Sequence, residues 1–204
     1  MRCLVTGGAG FIGSHLVDRL LEDSHEVIVL DNFSTGRLPN LGQTAKRTGL
    51  AIHKRDVANL ESIQPLFKGV DWVFHLAALA DIVPSIVRPL EYHRSNVDGT
   101  VVVLEASRQT GVKRFIYAAS SSCYGIPDAY PTPETAPVRL QYPYALTKYP
   151  GEECALHWDW KFRVSLEKGV KVLLENIDYW SEAPVWTPET ISEATREWFE
   201  YLSK

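Results

Sequence analysis

Tyr144 and Lys148 lie four positions apart in Tyr144-Ala145-Leu146-Thr147-Lys148. Positions i and i+4 of a helix share a face. An ammonium beside a phenol stabilises the phenolate. A phenolate can take the proton of a substrate hydroxyl while the carbon that bears it gives up a hydride. Ser120 opens the run Ser120-Ser121-Ser122-Cys123-Tyr124-Gly125 just after an apolar stretch, and its hydroxyl can hydrogen bond the same reacting oxygen. Taken alone, Tyr-x-x-x-Lys fits a surface pair and a serine run fits a polar turn.

A hydride needs an acceptor, and a dinucleotide site is readable upstream. In Thr6-Gly7-Gly8-Ala9-Gly10-Phe11-Ile12-Gly13, the glycines Gly7, Gly10 and Gly13 are three apart, and Gly8, Gly10 and Gly13 also satisfy GxGxxG. Glycines there allow a tight turn, close approach of a pyrophosphate and close helix–strand packing. The helix N-terminus then offers N–H groups and a positive dipole end to the phosphates. Asp31 lies 18 residues beyond Gly13 at the end of the next apolar run. Its carboxylate can accept from both ribose hydroxyls and would repel a 2′-phosphate, which favours NAD over NADP. By itself the glycine run fits an ordinary turn, and Asp31 a cap.

The elements that must position these residues alternate in type. Apolar runs at 2–6, 26–30, 50–54, 71–75 and 114–119 read as strands, the third weaker than the others. Ile12, Leu16 and Leu20 mark a helix over 11–21, and Val97, Val101 and Leu104 another over 97–107. Continuously apolar strands with helices between them predict an α/β, doubly wound (Rossmann) parallel sheet covered on both faces. Residues 126–143 hold five prolines, Pro127, Pro131, Pro133, Pro137 and Pro143, and read as a loop. A helix follows from about Tyr144, and Pro150 is expected to kink or end it. The segment 159–204 reads as a second unit, a carboxyl-terminal pair of amphipathic helices on Leu166, Val170, Leu173, Ile177 and Trp180 and on Ile191, Ala194, Trp198 and Leu202. Residues 1–158 form the dinucleotide-binding domain in this reading.

The composition narrows the partners. Lys+Arg is 21 against Asp+Glu 25, a net charge of −4 over 204 residues, with no basic cluster to hold nucleic acid. The longest apolar stretch, near 70–83, is broken by Asp71, His75 and Asp81 and cannot span a membrane. Cys3, Cys123 and Cys154 lack CxxC or zinc-finger spacing, so no metal site is expected and a reduced, cytoplasmic compartment fits. His75, ending a strand near the cofactor, reads as structural.

With these motifs in this order, the sequence resembles the extended short-chain dehydrogenase/reductase family, and within it the NAD-dependent nucleotide-sugar epimerases and dehydratases. The likeness is strongest to enzymes of UDP-hexoses such as UDP-glucose. It runs nearly continuously over 1–158 through the glycine turn, Asp-Asn-Phe-Ser-Thr-Gly (31–36), Arg-Asp-Val (55–57), His-Leu-Ala-Ala (75–78), Asn-Val-Asp-Gly-Thr (96–100), the serine run and Tyr-Ala-Leu-Thr-Lys. The resemblance implies NAD as cofactor, with Phe11 and Ile12 at the pyrophosphate. It places Asp31, Asn32, Phe33, Ser34, Thr35 and Gly36 at the adenosine ribose, and Asp56 and Val57 beside the adenine. Leu76, Ala77, Ala78 and Ala80 would line the cofactor channel, Ala80 standing where some epimerases carry a lysine. Ser95 or Asn96 would lie near the nicotinamide ribose. Ser120, Tyr144 and Lys148 would form the catalytic set, Tyr144 and Lys148 also touching the cofactor.

The family continues after its Tyr-x-x-x-Lys helix with further strands and a substrate lobe. Here His157-Trp158 passes into a tryptophan-lysine stretch resembling the family's carboxyl-terminal end. The expectation is a sheet whose fifth strand lacks its outer neighbours. Two covers stay open, the tail's tryptophans or a second copy in a homodimer. The leading functional reading is UDP-hexose 4-epimerisation by transient oxidation at C4. A second is an NAD-binding remnant acting as a binding or regulatory subunit. Dehydration ranks lower, because Ser121 and Ser122 stand where the family's dehydratases place an acidic pair.

Overall fold

The computed structural model describes residues 1–158. The helices expected over 159–204 lie outside the described residues. Five strands, β1 (Arg2–Thr6), β2 (Glu26–Asp31), β3 (Leu50–Lys54), β4 (Trp72–His75) and β5 (Arg114–Tyr117), form one parallel sheet in the order β3-β2-β1-β4-β5. Side chains alternate across a strand, and the sequence fills both sides. Leu4, Ile28, Leu30, Val73 and Phe115 enter one core, with Ile63, Phe67, Val103, Leu104 and Ala155. Cys3, Val5, Val27 and Val29 enter the other, with Val17, Leu20 and Leu41. This two-sided burial is why β1 and β2 are apolar nearly throughout, and edge strand β3, which buries no residue fully, is the weaker run. Each fully buried aliphatic side chain contributes about 1.5–3 kcal/mol.

The helices are α1 (Phe11–Glu22), α2 (Leu60–Ile63), α3 (Ile82–Val87), α4 (Pro89–His93), α5 (Gly99–Thr110) and α6 (Pro143–His157). The inward face of α1 is Gly13, Ser14, Val17 and Leu20, offset from the Ile12–Leu16–Leu20 stripe. Ile12 sits in the opening turn and is exposed because that turn faces the crevice at the strand ends. A π-helical turn, Arg94–Asp98, joins α4 to α5, so the helical run expected from Val97 begins earlier, at Pro89.

Pro150 neither ends nor breaks α6, which continues for seven residues beyond it. The amide it lacks would have bonded the carbonyl of Leu146, an exposed residue, so water can take that carbonyl. Packing of α6 against α3, α4 and α5 holds the remainder. Among the described residues β3 and β5 are the sheet edges.

Candidate active site at the carboxyl ends of the strands

In a parallel sheet every carboxyl end lies on one side, and the order reverses between β1 and β4. The crevice beyond that switch point is where a doubly wound sheet receives ligands. The loops after β1, β2, β4 and β5 all open there.

After β1 the chain turns at Gly7, whose φ of +68° is left-handed. A Cβ there would stand 2.8 Å from the backbone nitrogen of Ala77. The close approach at Gly13 is tighter, since a Cβ would lie 2.2 Å from the Gly7 carbonyl oxygen. α1 begins without a side-chain cap, which leaves its dipole end directed at the turn. Phe11 and Ile12 stand exposed beside it.

Asp31 is buried at the end of β2. Its Oδ2 accepts from the Ala9 amide at 3.0 Å and its Oδ1 from the Phe33 amide at 2.7 Å. Gly36 packs on that carboxylate, and Phe33 takes a left-handed φ of +60° to close the loop. Asn32, Ser34 and Thr35 are exposed around it. The segment after Gly36 folds back on the glycine turn: the Arg37 amide and Asn40 Nδ2 both donate to the Ala9 carbonyl, at 2.9 and 2.7 Å. Sequence reading stopped at Gly36 and missed Arg37 and Asn40, for which no spacing rule gives a signal.

Asp56, beyond β3, pairs with Arg94 at 2.8 Å on the surface, a contact worth at most about 1 kcal/mol. Val57 is buried against Gly99.

The loop after β4 is held from beneath. Thr6 Oγ1 accepts from the amides of Leu76 and Ala77 at 3.2 and 3.1 Å and meets His75 Nδ1 at 2.7 Å. His75 Nε2 meets Thr100 Oγ1 at 3.0 Å, and Thr100 donates to the Asn96 carbonyl at 2.6 Å. His75 is fully buried, and burial first, then the Lys148 ammonium, press its pKa down to about 3. It is a neutral structural residue, as the sequence suggested. Asn96 is buried too: Oδ1 accepts from Leu79 N at 2.8 Å, while Nδ2 donates to Leu79 O and Thr147 Oγ1, both at 3.0 Å. Its amide protons are both committed within the protein, so it ties the loop to α6. Ser95 and Ala78 are half-buried and Ala80 is exposed. The Ala80 carbonyl accepts from the Tyr92 hydroxyl.

Ser120 follows β5, half-buried, its Oγ accepting from Ser122 N at 3.3 Å. On α6, Tyr144 is half-buried and its ring meets Tyr92 edge-on at 6.4 Å. Its amide donates to Ser85 Oγ at 3.0 Å. Lys148 is buried and its Nζ donates to the Ala118 carbonyl at 2.7 Å. Burial lowers its pKa to about 8, with Cys123 and Glu152 acting in the opposite direction. Tyr92 and Ser85 escaped sequence reading, because short α3 and α4 carry no periodic signal, and Thr147 reads in the sequence only as a spacer between Tyr144 and Lys148.

A cleft of about 560 Å³ near the carboxyl ends of α5 and α6 is lined by Glu105, Arg108, Glu153, Cys154, His157 and Trp158. It contains none of the expected site residues. Among the described residues no group of His, Cys, Asp and Glu is placed to hold a metal ion, and no helix is long and apolar enough to cross a membrane.

Comparison with known proteins follows the same stretch of chain. The family model described as "NAD dependent epimerase/dehydratase family" matches residues 3–166. A UDP-glucose 4-epimerase of Mycolicibacterium smegmatis is 44% identical over 155 residues, covering 74% of this chain and 49% of that protein. The structure of the UDP-Glc/GlcNAc 4-epimerase of Campylobacter jejuni superposes with a TM-score of 0.74 at 31% identity, over 79% of this chain and 50% of that one. A UDP-glucose 4-epimerase of Bifidobacterium longum, solved with NAD+ and UDP, gives 0.70 at 32% identity, over 75% of this chain and 47% of that one. The chain spans about half the length of these relatives.

Proposed function

The chain belongs to the NAD dependent epimerase/dehydratase family, and we propose that it binds NAD and serves 4-epimerisation of a nucleotide sugar, a UDP-hexose. One observation carries this reading. The buried Lys148 ammonium is anchored on the Ala118 carbonyl just past β5, which brings the Tyr144–Lys148 face of α6 to the sheet end that bears the glycine turn.

The residues present fit the cofactor. Asp31 has one protein donor on each oxygen, and a carboxylate oxygen has a second lone-pair site to offer a ribose hydroxyl. The uncapped start of α1 suits a pyrophosphate, and exposed Phe11 and Ile12 supply apolar surface beside it. Bound NAD supplies a reversible hydride acceptor at the sugar C4.

The chain's own residues hold the sugar and move its proton. Tyr144 takes the proton of the 4-hydroxyl as C4 is oxidised, and returns it after the 4-keto sugar has presented its other face. Lys148 favours the anionic form of that phenol by its charge, and Nζ has two donors beyond the one on Ala118. The Ser120 hydroxyl donates to the sugar O4. Thr6, His75 and Asn96 shape the crevice by fixing the loop after β4.

The test is interconversion of UDP-glucose and UDP-galactose by purified chain with added NAD, alongside calorimetric titration with NAD. Turnover lost in Tyr144→Phe supports the reading. Micromolar NAD binding without turnover would instead support a binding or regulatory role, and no NAD binding would reject both.

A further inference from the structure

We infer that Tyr117 is a positioning residue for Lys148, and that residue 151 is glycine because the Tyr117 phenol occupies the space a side chain there would need. The inference builds on the catalytic reading of Lys148, while its test does not depend on that reading.

Tyr117 is the last residue of β5 and grips Lys148 at two points. Its hydroxyl donates to the Lys148 carbonyl at 3.0 Å, and its ring centroid lies 4.2 Å from Nζ. The next residue, Ala118, accepts from the same Nζ at 2.7 Å. Backbone and ammonium of Lys148 are therefore both fixed to the end of one strand. A lysine stem is otherwise flexible, and a buried ammonium needs compensation that an aromatic face can give. The ring is itself braced, lying 5.9 Å from the His75 ring at 31°.

The hydroxyl reaches the backbone of α6 only through Gly151. A Cβ there would stand 2.5 Å from the Tyr117 oxygen and 3.1 Å from the carbon bearing it. Burial foremost, with Cys123, Glu152 and Tyr144 adding to it, pushes the Tyr117 titration well up, so the phenol stays neutral and donates. The groups coupled to the ammonium are Cys123 after β5, Glu152 one turn along α6 and neutral His75 on β4. Tyr144 lies one turn back on the same helix. A residue that merely filled the core would need neither the hydroxyl nor the glycine opposite.

The experiment titrates Lys148 directly by NMR in protein labelled with 13C at lysine Cε, its resonance assigned by its loss in Lys148→Met. Tyr117→Phe keeps the ring, and its midpoint should stay within about 0.3 units of the parent value, whereas Tyr117→Leu should lower it by about one unit. A Tyr117→Leu midpoint that stays or rises would overturn the inference, as would Tyr117→Phe shifting as far as Tyr117→Leu. Thermal melting tests the second half. Gly151→Ala should lower the melting temperature in the parent chain and clearly less in the Tyr117→Phe background; equal losses would reject the pairing. Should Tyr117→Leu not fold, Gly151→Ala decides: positioning moves the Lys148 midpoint together with the melting temperature, and core filling moves the melting temperature alone. A chain inactive on nucleotide sugars would give the same titrations, so failure of the epimerase reading and failure of this one are separate results.

Discussion

The hydroxyl of Thr6 and Nδ1 of His75 meet at 2.7 Å, and their neighbours fix which of them carries the proton. Thr6 Oγ1 already accepts from the amides of Leu76 and Ala77. A hydroxyl oxygen has two acceptor sites and one proton, so these amides favour Thr6 as donor to His75 Nδ1. The Thr100 hydroxyl, whose proton goes to the Asn96 carbonyl, is left to accept from Nε2. The imidazole proton therefore sits on Nε2. A second proton on the ring would have no acceptor.

This arrangement predicts an acid limb of stability. The folded pKa of His75, about 3, lies below the ordinary 6.5, so the unfolded chain binds more protons between those values. The His75 contribution is then complete above about pH 6.5 and is lost as pH drops, by up to about 1.4 kcal/mol per unit. Glu105, held down to about 2 by its hydrogen bonds from Arg108 and Gln109, adds its own loss only below its ordinary 4.5. Urea midpoints between pH 6.5 and 5 should fall in the parent chain and lie flatter in His75→Gln. An unchanged slope would remove His75 as the cause.

Asn96 should contribute to stability. Asn96→Ala leaves the Leu79 amide and carbonyl without their partner and removes one of the two hydrogen bonds of the Thr147 hydroxyl, which still donates to the Tyr144 carbonyl. Each buried group left unpaired costs about 1–3 kcal/mol, so urea denaturation should show a loss of about 3 kcal/mol or more. A loss below about 1 kcal/mol would mean that water replaces the amide.

Asp31→Ala should weaken NAD about tenfold to a hundredfold, the scale of losing one charged hydrogen bond or two weak ones. It should also narrow the preference for NAD over NADP, because the repulsion of a 2′-phosphate goes with the charge. Calorimetry with both dinucleotides reads this. Tighter NADP than NAD binding in the parent chain would overturn the cofactor assignment.

Tyr144→Phe removes one oxygen from a residue whose amide and ring contacts do not involve it. Turnover of UDP-glucose should fall about a hundredfold to ten-thousandfold, the usual range for a lost acid–base group. NAD affinity should change less than about threefold, a small fraction of the charge-assisted bonds at Asp31. Retained turnover would exclude Tyr144 as the base.

Much of this molecule was legible in one dimension. Strands that bury both faces must be apolar throughout, so β1, β2 and β4 stand out in the sequence, and the glycines before α1 state where the backbone must turn. Asp31 and the Tyr144–Lys148 spacing follow from fixed offsets along a strand and a helix. What escaped has no local signature. Short α3 and α4, the π turn carrying Asn96, and the fold-back of Arg37 and Asn40 on Ala9 arise from contacts between distant segments. Pro150 reads locally as a kink or an end, yet α6 continues past it, because packing on three helices outweighs one lost hydrogen bond.

Residue types and spacing thus set the chemistry on offer, a phenol, an ammonium and a phosphate-sized turn, since these depend only on periodicities of the backbone. Tertiary structure alone decided the states of those groups. It buried Lys148 over Tyr117, left His75 neutral with its proton on Nε2, and brought the Tyr117 hydroxyl to where a side chain at residue 151 would lie. Charge state and close approach depend on what surrounds a group in space, and its neighbours in space come from parts of the chain that spacing cannot relate.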